Sequence, residues 1–168
     1  MPGSGKSTVG RHLARRIGRP FLDSDHLIQE RVGCSVSEFF AREGEAAFRA
    51  LEEQVIAELA DGPDAVVATG GGAVVRAANR QRLRDAGRVI YLRSSPEELF
   101  RRLRHDTQRP LLQVADPLAK LRALHAERDR LYREAAHFVI ETGRPSIPTL
   151  VNMIVMQLEL AGLLPPSP

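Results

Sequence analysis

Apolar residues recur along this chain at two alternating spacings, about every four residues and then in short unbroken runs, and that alternation predicts an α/β fold. Val9, Leu13 and Ile17 predict a helix over 7–17 that stops at Gly18 and Pro20. Phe21-Leu22 reads as a short buried strand ending in Asp23-Ser24-Asp25, with a helix following to about Arg31. Ser35-Val36-Ser37-Glu38 is a capping box opening a further short helix, closed by Gly44. Residues 45–59 are strongly helical up to Asp61-Gly62-Pro63, and 65–68 form a strand that runs into Thr69-Gly70-Gly71-Gly72. A helix over about 75–86 stops at Gly87, a strand follows at 89–92, and Ser95 caps the next helix with Pro96 at its first position.

Between 104 and 115 the apolar period is lost, and His105-Asp106-Thr107-Gln108-Arg109-Pro110 predicts a mobile loop. Asp116-Pro117 starts a long basic helix ending near Ala136, followed by a strand at 138–140, a loop at 143–148 and an amphipathic helix at 149–161. The tail Pro165-Pro166-Ser167-Pro168 is expected to be disordered. No internal repeat is visible, and 168 residues fit one domain.

Composition narrows the partners. Apolar content of 43% and charge of 27% are those of a globular domain. A net charge of +3 favours an anionic partner, but the absence of Trp and the presence of only two Tyr argue against a nucleic-acid surface. A nucleotide or an acidic metabolite satisfies the same bias. Cys34 is alone, which excludes a disulfide framework or a cysteine-based metal site. The apolar stretch 150–164 carries Asn152, Gln157 and Glu159, a poor membrane span. The expected location is cytoplasmic, with no membrane or nucleic-acid partner.

The chemistry begins at Gly3-Ser4-Gly5-Lys6-Ser7-Thr8, the end of a phosphate-binding loop. Its glycines let backbone N–H groups turn toward phosphate, Lys6 reaches the β/γ oxygens, and Ser7 suits Mg²⁺. Lys6 and Lys120 are the only lysines among 24 basic residues, so lysine stands where a compact ammonium suits a phosphate cradle. A plain flexible turn is the alternative. The full pattern needs a glycine five residues before Gly5 and a strand before that; the first strand is expected to lie upstream of Met1. About five or six buried apolar residues at ~1.5–3 kcal/mol each would contribute roughly 10 kcal/mol, comparable with the ~5–15 kcal/mol stability of a domain.

Asp23 and Asp25, at i and i+2 in an extended segment, would face one side, one supporting Mg²⁺ and the other a substrate hydroxyl. The bland reading is a helix cap by Ser24 or Asp25. Gly70-Gly71-Gly72 after an apolar strand removes every side chain and lets a ligand meet the backbone; a flexible turn is the alternative. Arg49 and Arg128 lie in helices, where a solvated arginine is the default. Arg109, fixed by the proline after it, suits a cation carried on a closing lid, with Arg104 at the near hinge.

The phosphate loop, Asp23-Ser24-Asp25, Gly44-Glu45…Phe48-Arg49…Glu52, Thr69-Gly70-Gly71-Gly72, Arg109-Pro110-Leu111-Leu112 and Arg128…Leu131-Tyr132 occur in that order over nearly the whole chain. Together they resemble the shikimate kinase family. The resemblance implies a single 1–168 domain with a three-layer α/β/α P-loop kinase fold similar to nucleoside monophosphate kinases. It would have a parallel sheet, a substrate-binding helical insert at about 25–60 and a lid at about 104–116. It implies a monomer that moves the γ-phosphoryl of ATP to the 3-hydroxyl of shikimate, a step toward chorismate and the aromatic amino acids.

Carried over, Gly3, Ser4, Gly5, Lys6, Ser7 and Thr8 hold the ATP phosphates, and Ser7 and Asp23 hold Mg²⁺. Asp25 binds the shikimate hydroxyls and serves as base, Arg49 and Arg128 clamp the carboxylate, and Gly70, Gly71 and Gly72 touch the ring. Arg109 neutralises the transferring phosphoryl, while Arg104 and Arg144 lie near the adenine. Catalysis falls to Lys6, Asp25 and Arg109. Two other readings stay open: another small-molecule kinase of this fold, acting on gluconate or a nucleoside monophosphate, and a non-catalytic ligand sensor of a helix-turn-helix regulator.

Overall fold

A left-handed glycine sets the start of the first helix. Gly5, with φ 84°, turns the chain into α1 (Lys6–Ile17), and Gly18, with φ 67°, ends it. The computed structural model describes residues 4–105 and 113–168. Among them, β1 (Phe21–Asp23) pairs in parallel with β2 (Val66–Ala68), placing Asp23 opposite Ala68. β3 (Ile90–Arg93) pairs in parallel with β4 (Phe138–Glu141), Ile90 opposite Phe138. Parallel pairing brings the carboxyl ends of β1 and β2 side by side, so the Asp23-Ser24-Asp25 and glycine segments emerge at one edge, where open α/β sheets bind ligands.

Side chains alternate across a strand, and the cores follow that rule. Leu92 and Ile140 pack with Val9 and Leu13 of α1 and with Leu150, Val151, Ile154 and Leu158 of α7 (Ile147–Leu160). Tyr91 faces the other way, onto Leu99 of α5 (Pro96–Leu103) and Leu121, Tyr132 and Ala135 of α6 (Pro117–Ala135). This is a three-layer α/β/α arrangement. Helices α2 (Ser24–Val32) and α3 (Val36–Asp61) carry a core of their own around Ile28, Phe48 and Val55. Between β2 and β3 lies an apolar cleft of about 440 Å³, lined by Val9, Leu13, Val67, Tyr91 and Leu158 and reaching Lys6 and Gly70. No described strand joins the two pairs across it. No described helix is long and apolar enough to cross a membrane.

Most predicted elements appear within a residue or two, and the departures have local causes. Gly44 is non-helical, at φ 85°, ψ 171°, and separates the two helices expected on either side of it, which run together as α3 across a kink. The helix expected from residue 75 begins as α4 (Ala77–Ala86), because a 3₁₀ turn over Ala73–Val75 comes first. In that turn Ala73 N–H donates to Gly70 C=O and Val75 N–H to Gly72 C=O, both at 3.1 Å. Helix α7 starts at Ile147 rather than 149: Ser146 caps it, and Pro148 belongs to its first turn, where a missing N–H costs nothing. The tail expected to be disordered folds back, Ser167 N–H donating to Glu159 Oε1 at 2.9 Å, with Leu164 against the α1/α7 core.

Gly44 makes the kink testable. A Cβ built there meets nothing within 4 Å, so backbone strain is the sole penalty for alanine. Gly44→Ala is expected to lower the unfolding free energy by about 1–3 kcal/mol, measured by urea denaturation. An unchanged midpoint would show that the segment re-forms as an unbroken helix.

Candidate active site

The phosphate loop and the first aspartate are joined directly. Ser7 Oγ donates to Asp23 Oδ2 at 2.8 Å, while Oδ1 of the same carboxylate accepts the Asp25 N–H at 3.0 Å and the His26 N–H at 3.4 Å. Asp23 is therefore the cap of α2, not Ser24 or Asp25, and it keeps a second oxygen for the phosphate loop. Asp25 lies in the first turn of α2 rather than in extended chain. It nevertheless comes near Asp23, Lys6 and Arg49: burial, then the Asp23 charge, push its carboxyl above the usual aspartate range, against the pull of Lys6 and Arg49. Ser4 is buried, and its Oγ has no hydrogen-bond partner among the described residues.

The glycine triplet is seated against these groups. The Gly70 N–H donates to Oγ of the fully buried Ser24 at 3.0 Å. A Cβ on Gly70 would stand 2.6 Å from Asp25 Oδ1, and one on Gly72 would fall onto the Arg49 guanidinium. Tyr132 Oη donates to the Gly71 carbonyl at 2.5 Å, and Asn79 Nδ2 to the Ala73 carbonyl at 3.0 Å. The triplet is a close approach of backbone to charged side chains.

Arg49 is not the solvated arginine its helical position suggests. Its side chain is 11% exposed and bonds Glu52 Oε1 at 2.8 Å, that carboxylate being 1% exposed. The guanidinium also lies 5.3 Å from the Phe48 ring centroid. Burial raises the Glu52 carboxyl above its ordinary range, although Arg49 and Arg128 both pull it down and Asp25 adds to the rise. Arg128 belongs to the same group. Burial raises the Tyr132 phenol, and the charge of the Arg128 guanidinium opposes that rise. The Nε atoms of Arg49 and Arg128 are buried without a hydrogen-bond partner among the described residues. Unpaired buried donors are costly, and a bound carboxylate would satisfy them.

Thus Ser4, Gly5, Lys6, Ser7, Asp23, Asp25, Arg49, Gly70, Gly71, Gly72 and Arg128 meet around the ends of β1 and β2 and the start of α1. Thr8 is exposed on α1. Arg104 is exposed at the end of α5, and Arg144 is exposed between β4 and α7. Gly3, Arg109 and most of the expected lid lie outside the described residues. Ser24, Glu52 and Tyr132 were not singled out as site residues. Glu52 stands three positions after Arg49 and Tyr132 four after Arg128, spacings that put each pair on one helix face.

A left-handed glycine opening a helix with lysine at its first position, a hydroxyl–carboxylate pair beside it and an α/β frame define a P-loop phosphotransferase. The shikimate kinase family model matches residues 2–159. The shikimate kinase of Paracidovorax citrulli is 64% identical over 171 residues, covering 100% of this chain and 93% of the relative. That of Burkholderia pseudomallei is 57% identical, covering 97% of this chain and 89% of the relative. Among solved structures, shikimate kinase from Acinetobacter baumannii in complex with shikimate superposes with a TM-score of 0.90 at 47% identity, covering 97% of this chain and 91% of that one. The chain belongs to the shikimate kinase family.

Gly72→Ala tests the seat of the loop. The new methyl group displaces Arg49, and losing one charged hydrogen bond, worth ~1.5–3 kcal/mol, predicts a rise in KM for shikimate of roughly ten- to hundredfold. Steady-state kinetics with ATP saturating reads it; an unchanged KM would separate the triplet from Arg49.

Proposed function

We propose that the chain transfers the γ-phosphoryl of ATP to the 3-hydroxyl of shikimate, giving shikimate 3-phosphate and ADP on the route to chorismate and the aromatic amino acids. The observation that carries this reading is the pair of partly buried guanidinium groups near the glycine triplet, the Nε of each buried without a hydrogen bond among the described residues, that of Arg49 only 3.6 Å from Glu45 Oε1. Two planar cations facing one space suit a carboxylate, and the solved relative from Acinetobacter baumannii holds shikimate. Nucleotide phosphates lie on the loop from Gly3 to Thr8, with Lys6 at the β/γ oxygens. Asp25 accepts hydrogen bonds from the acceptor hydroxyls and takes the proton of the attacking one. Gly70, Gly71 and Gly72 lie against the ring.

Mg²⁺ fits the Ser7–Asp23 pair. A hydroxyl and a carboxylate are hard oxygen donors, and this ion commonly takes one or two protein ligands with phosphates and water completing its shell. Ser7 and Asp23 would hold the ion, which would supply positive charge against the charge that develops on transfer. Arg109 is assigned to the transferring phosphoryl, and Arg104 and Arg144 to the adenine end. The protein is read as a cytoplasmic monomer of one domain, with α2 and much of α3 forming the acceptor-binding insert at about 25–60 and residues 104–116 the lid. Gluconate also carries a carboxylate and AMP a phosphate; shikimate is preferred because the family model and the shikimate-bound relative both favour it. A ligand sensor has no need of Lys6, Asp23 and Asp25 together.

The deciding experiment is an ADP-release assay with ATP and Mg²⁺ against shikimate, gluconate and AMP. Turnover with shikimate alone is expected; turnover with gluconate or AMP and none with shikimate would reverse the assignment.

Asp25 gives a signed prediction. It must be ionised to accept a proton, and its pKa is raised, so kcat/KM should rise with pH through a value above the ordinary aspartate range. In the folded protein its charge is disfavoured relative to the unfolded chain, so that cost is present at neutral pH and disappears in acid. Asp25→Asn is therefore expected to abolish turnover while raising Tm at pH 7, as calorimetry would show. A fall in Tm would mean that the carboxylate's bonds outweigh its desolvation.

A further inference from the structure

The glycine triplet has no side chains with which to hold its own conformation, so its neighbours must fix it. Ser24 holds one end at the Gly70 N–H, and Asn79 holds the 3₁₀ turn beyond it. The middle peptide is held by Tyr132, whose Oη donates to the Gly71 carbonyl. A peptide plane is rigid and trans, so fixing that carbonyl also fixes the direction of the Gly72 N–H.

A phenol has one proton to donate and lone pairs to accept with. The proton goes to Gly71, and the Arg128 charge acts on the phenol from one turn earlier on the same helix. The same hydroxyl thus holds the backbone while lying in the field of the cation assigned to shikimate. Four residues separate Arg128 from Tyr132, so both project from one face of α6.

The ring behind that hydroxyl is immobilised. Tyr132 is 8% exposed and stacks on Tyr91, with centroids 4.9 Å apart and planes at 30°. Tyr91 Oη in turn donates to Asp129 Oδ1 at 2.8 Å. That carboxylate also receives Arg93 Nε at 3.1 Å and Arg133 Nε at 2.9 Å. The chain of contacts from Asp129 through Tyr91 leaves the Tyr132 hydroxyl little freedom to move away from Gly71.

We propose that Tyr132 is a positioning residue for the acceptor acid, its single hydroxyl locking the Gly71 peptide plane and the Arg128 guanidinium into one binding geometry. This rests on the assignment of Arg128 and Gly71 as shikimate contacts. Tyr132→Phe keeps the stacked ring and removes only the hydroxyl. It is expected to raise KM for shikimate about tenfold while KM for ATP and kcat stay within about twofold, the pattern of lost ground-state binding. A purely structural role would lower Tm and kcat without that selectivity. Because both effects run through one hydroxyl, Arg128→Ala combined with Tyr132→Phe should cost less than the product of the single changes.

The outcomes separate cleanly. A raised KM in Arg128→Ala with an unchanged KM in Tyr132→Phe overturns the positioning role and leaves the carboxylate clamp standing. An unchanged KM in Arg128→Ala overturns the clamp and the positioning role with it. Independent, multiplicative effects overturn the shared hydroxyl. A second measurement needs no change at Tyr132: the chain has only two tyrosines, so 3-fluorotyrosine labelling gives two ¹⁹F resonances, assigned with Tyr91→Phe. Saturating shikimate should shift the Tyr132 resonance; a resonance that stays in place refutes the proposal.

Discussion

Everything at the ligand end of this molecule depends on how closely the glycine backbone approaches charged side chains. Gly70 lies against the Asp25 carboxylate and Gly72 against the Arg49 guanidinium, at separations no Cβ could share. Because the approach is backbone to side chain, it ties together three parts of the chain: the segment after β2, the helices α2 and α3, and α6 through Tyr132. Removing side chains here has an entropic cost. The surrounding hydrogen bonds from Ser24, Tyr132 and Asn79 offset it by leaving the loop few conformations.

Charge burial is the second constraint. Glu52 is among the most enclosed side chains in the described structure, yet it is a carboxylate in contact with Arg49 and in the field of Arg128. Desolvation and pairing oppose one another there, and desolvation prevails. A buried ion pair of this kind is weak evidence for stability. Its value lies in holding Arg49 beside Gly72 while the buried Nε makes no hydrogen bond among the described residues. Asp25 shows the same balance, a carboxylate whose ionisation burial and the Asp23 charge make costly in the folded state. Both groups place function above stability, as active sites commonly do.

The frame that carries them is divided. Two parallel pairs flank an apolar cleft, with α1 and α7 on one face and α4 to α6 on the other. Among the described residues each strand beside the cleft pairs on one side, and Lys6 lines the cleft. The phosphate loop, the β1 aspartate and the β2 glycines thus share one edge because parallel pairing sends both strands the same way.

Element type and order were legible in the residues. Four-residue apolar spacing marked the helices, short β-branched and aromatic runs marked the strands, and capping boxes at Ser35 and Ser95 appear as read. The glycine that opens α1 and the bare backbone after β2 also stand where they were read, since each signal is local and set by backbone chemistry. What only the tertiary structure decided was the company each residue keeps. Sequence spacing made Arg49 and Arg128 ordinary helical arginines; packing of α3 and α6 near the glycine loop buried the Nε of each. The Asp23–Asp25 pair was expected in extended chain, but Asp23 caps α2 and Asp25 belongs to its first turn, so their proximity comes from a cap rather than a strand. Tyr132 meets Gly71 from 61 positions away, a contact no local pattern encodes. Short-range propensity fixes which backbone forms, whereas burial and electrostatics between distant segments are settled only when those segments close on one another.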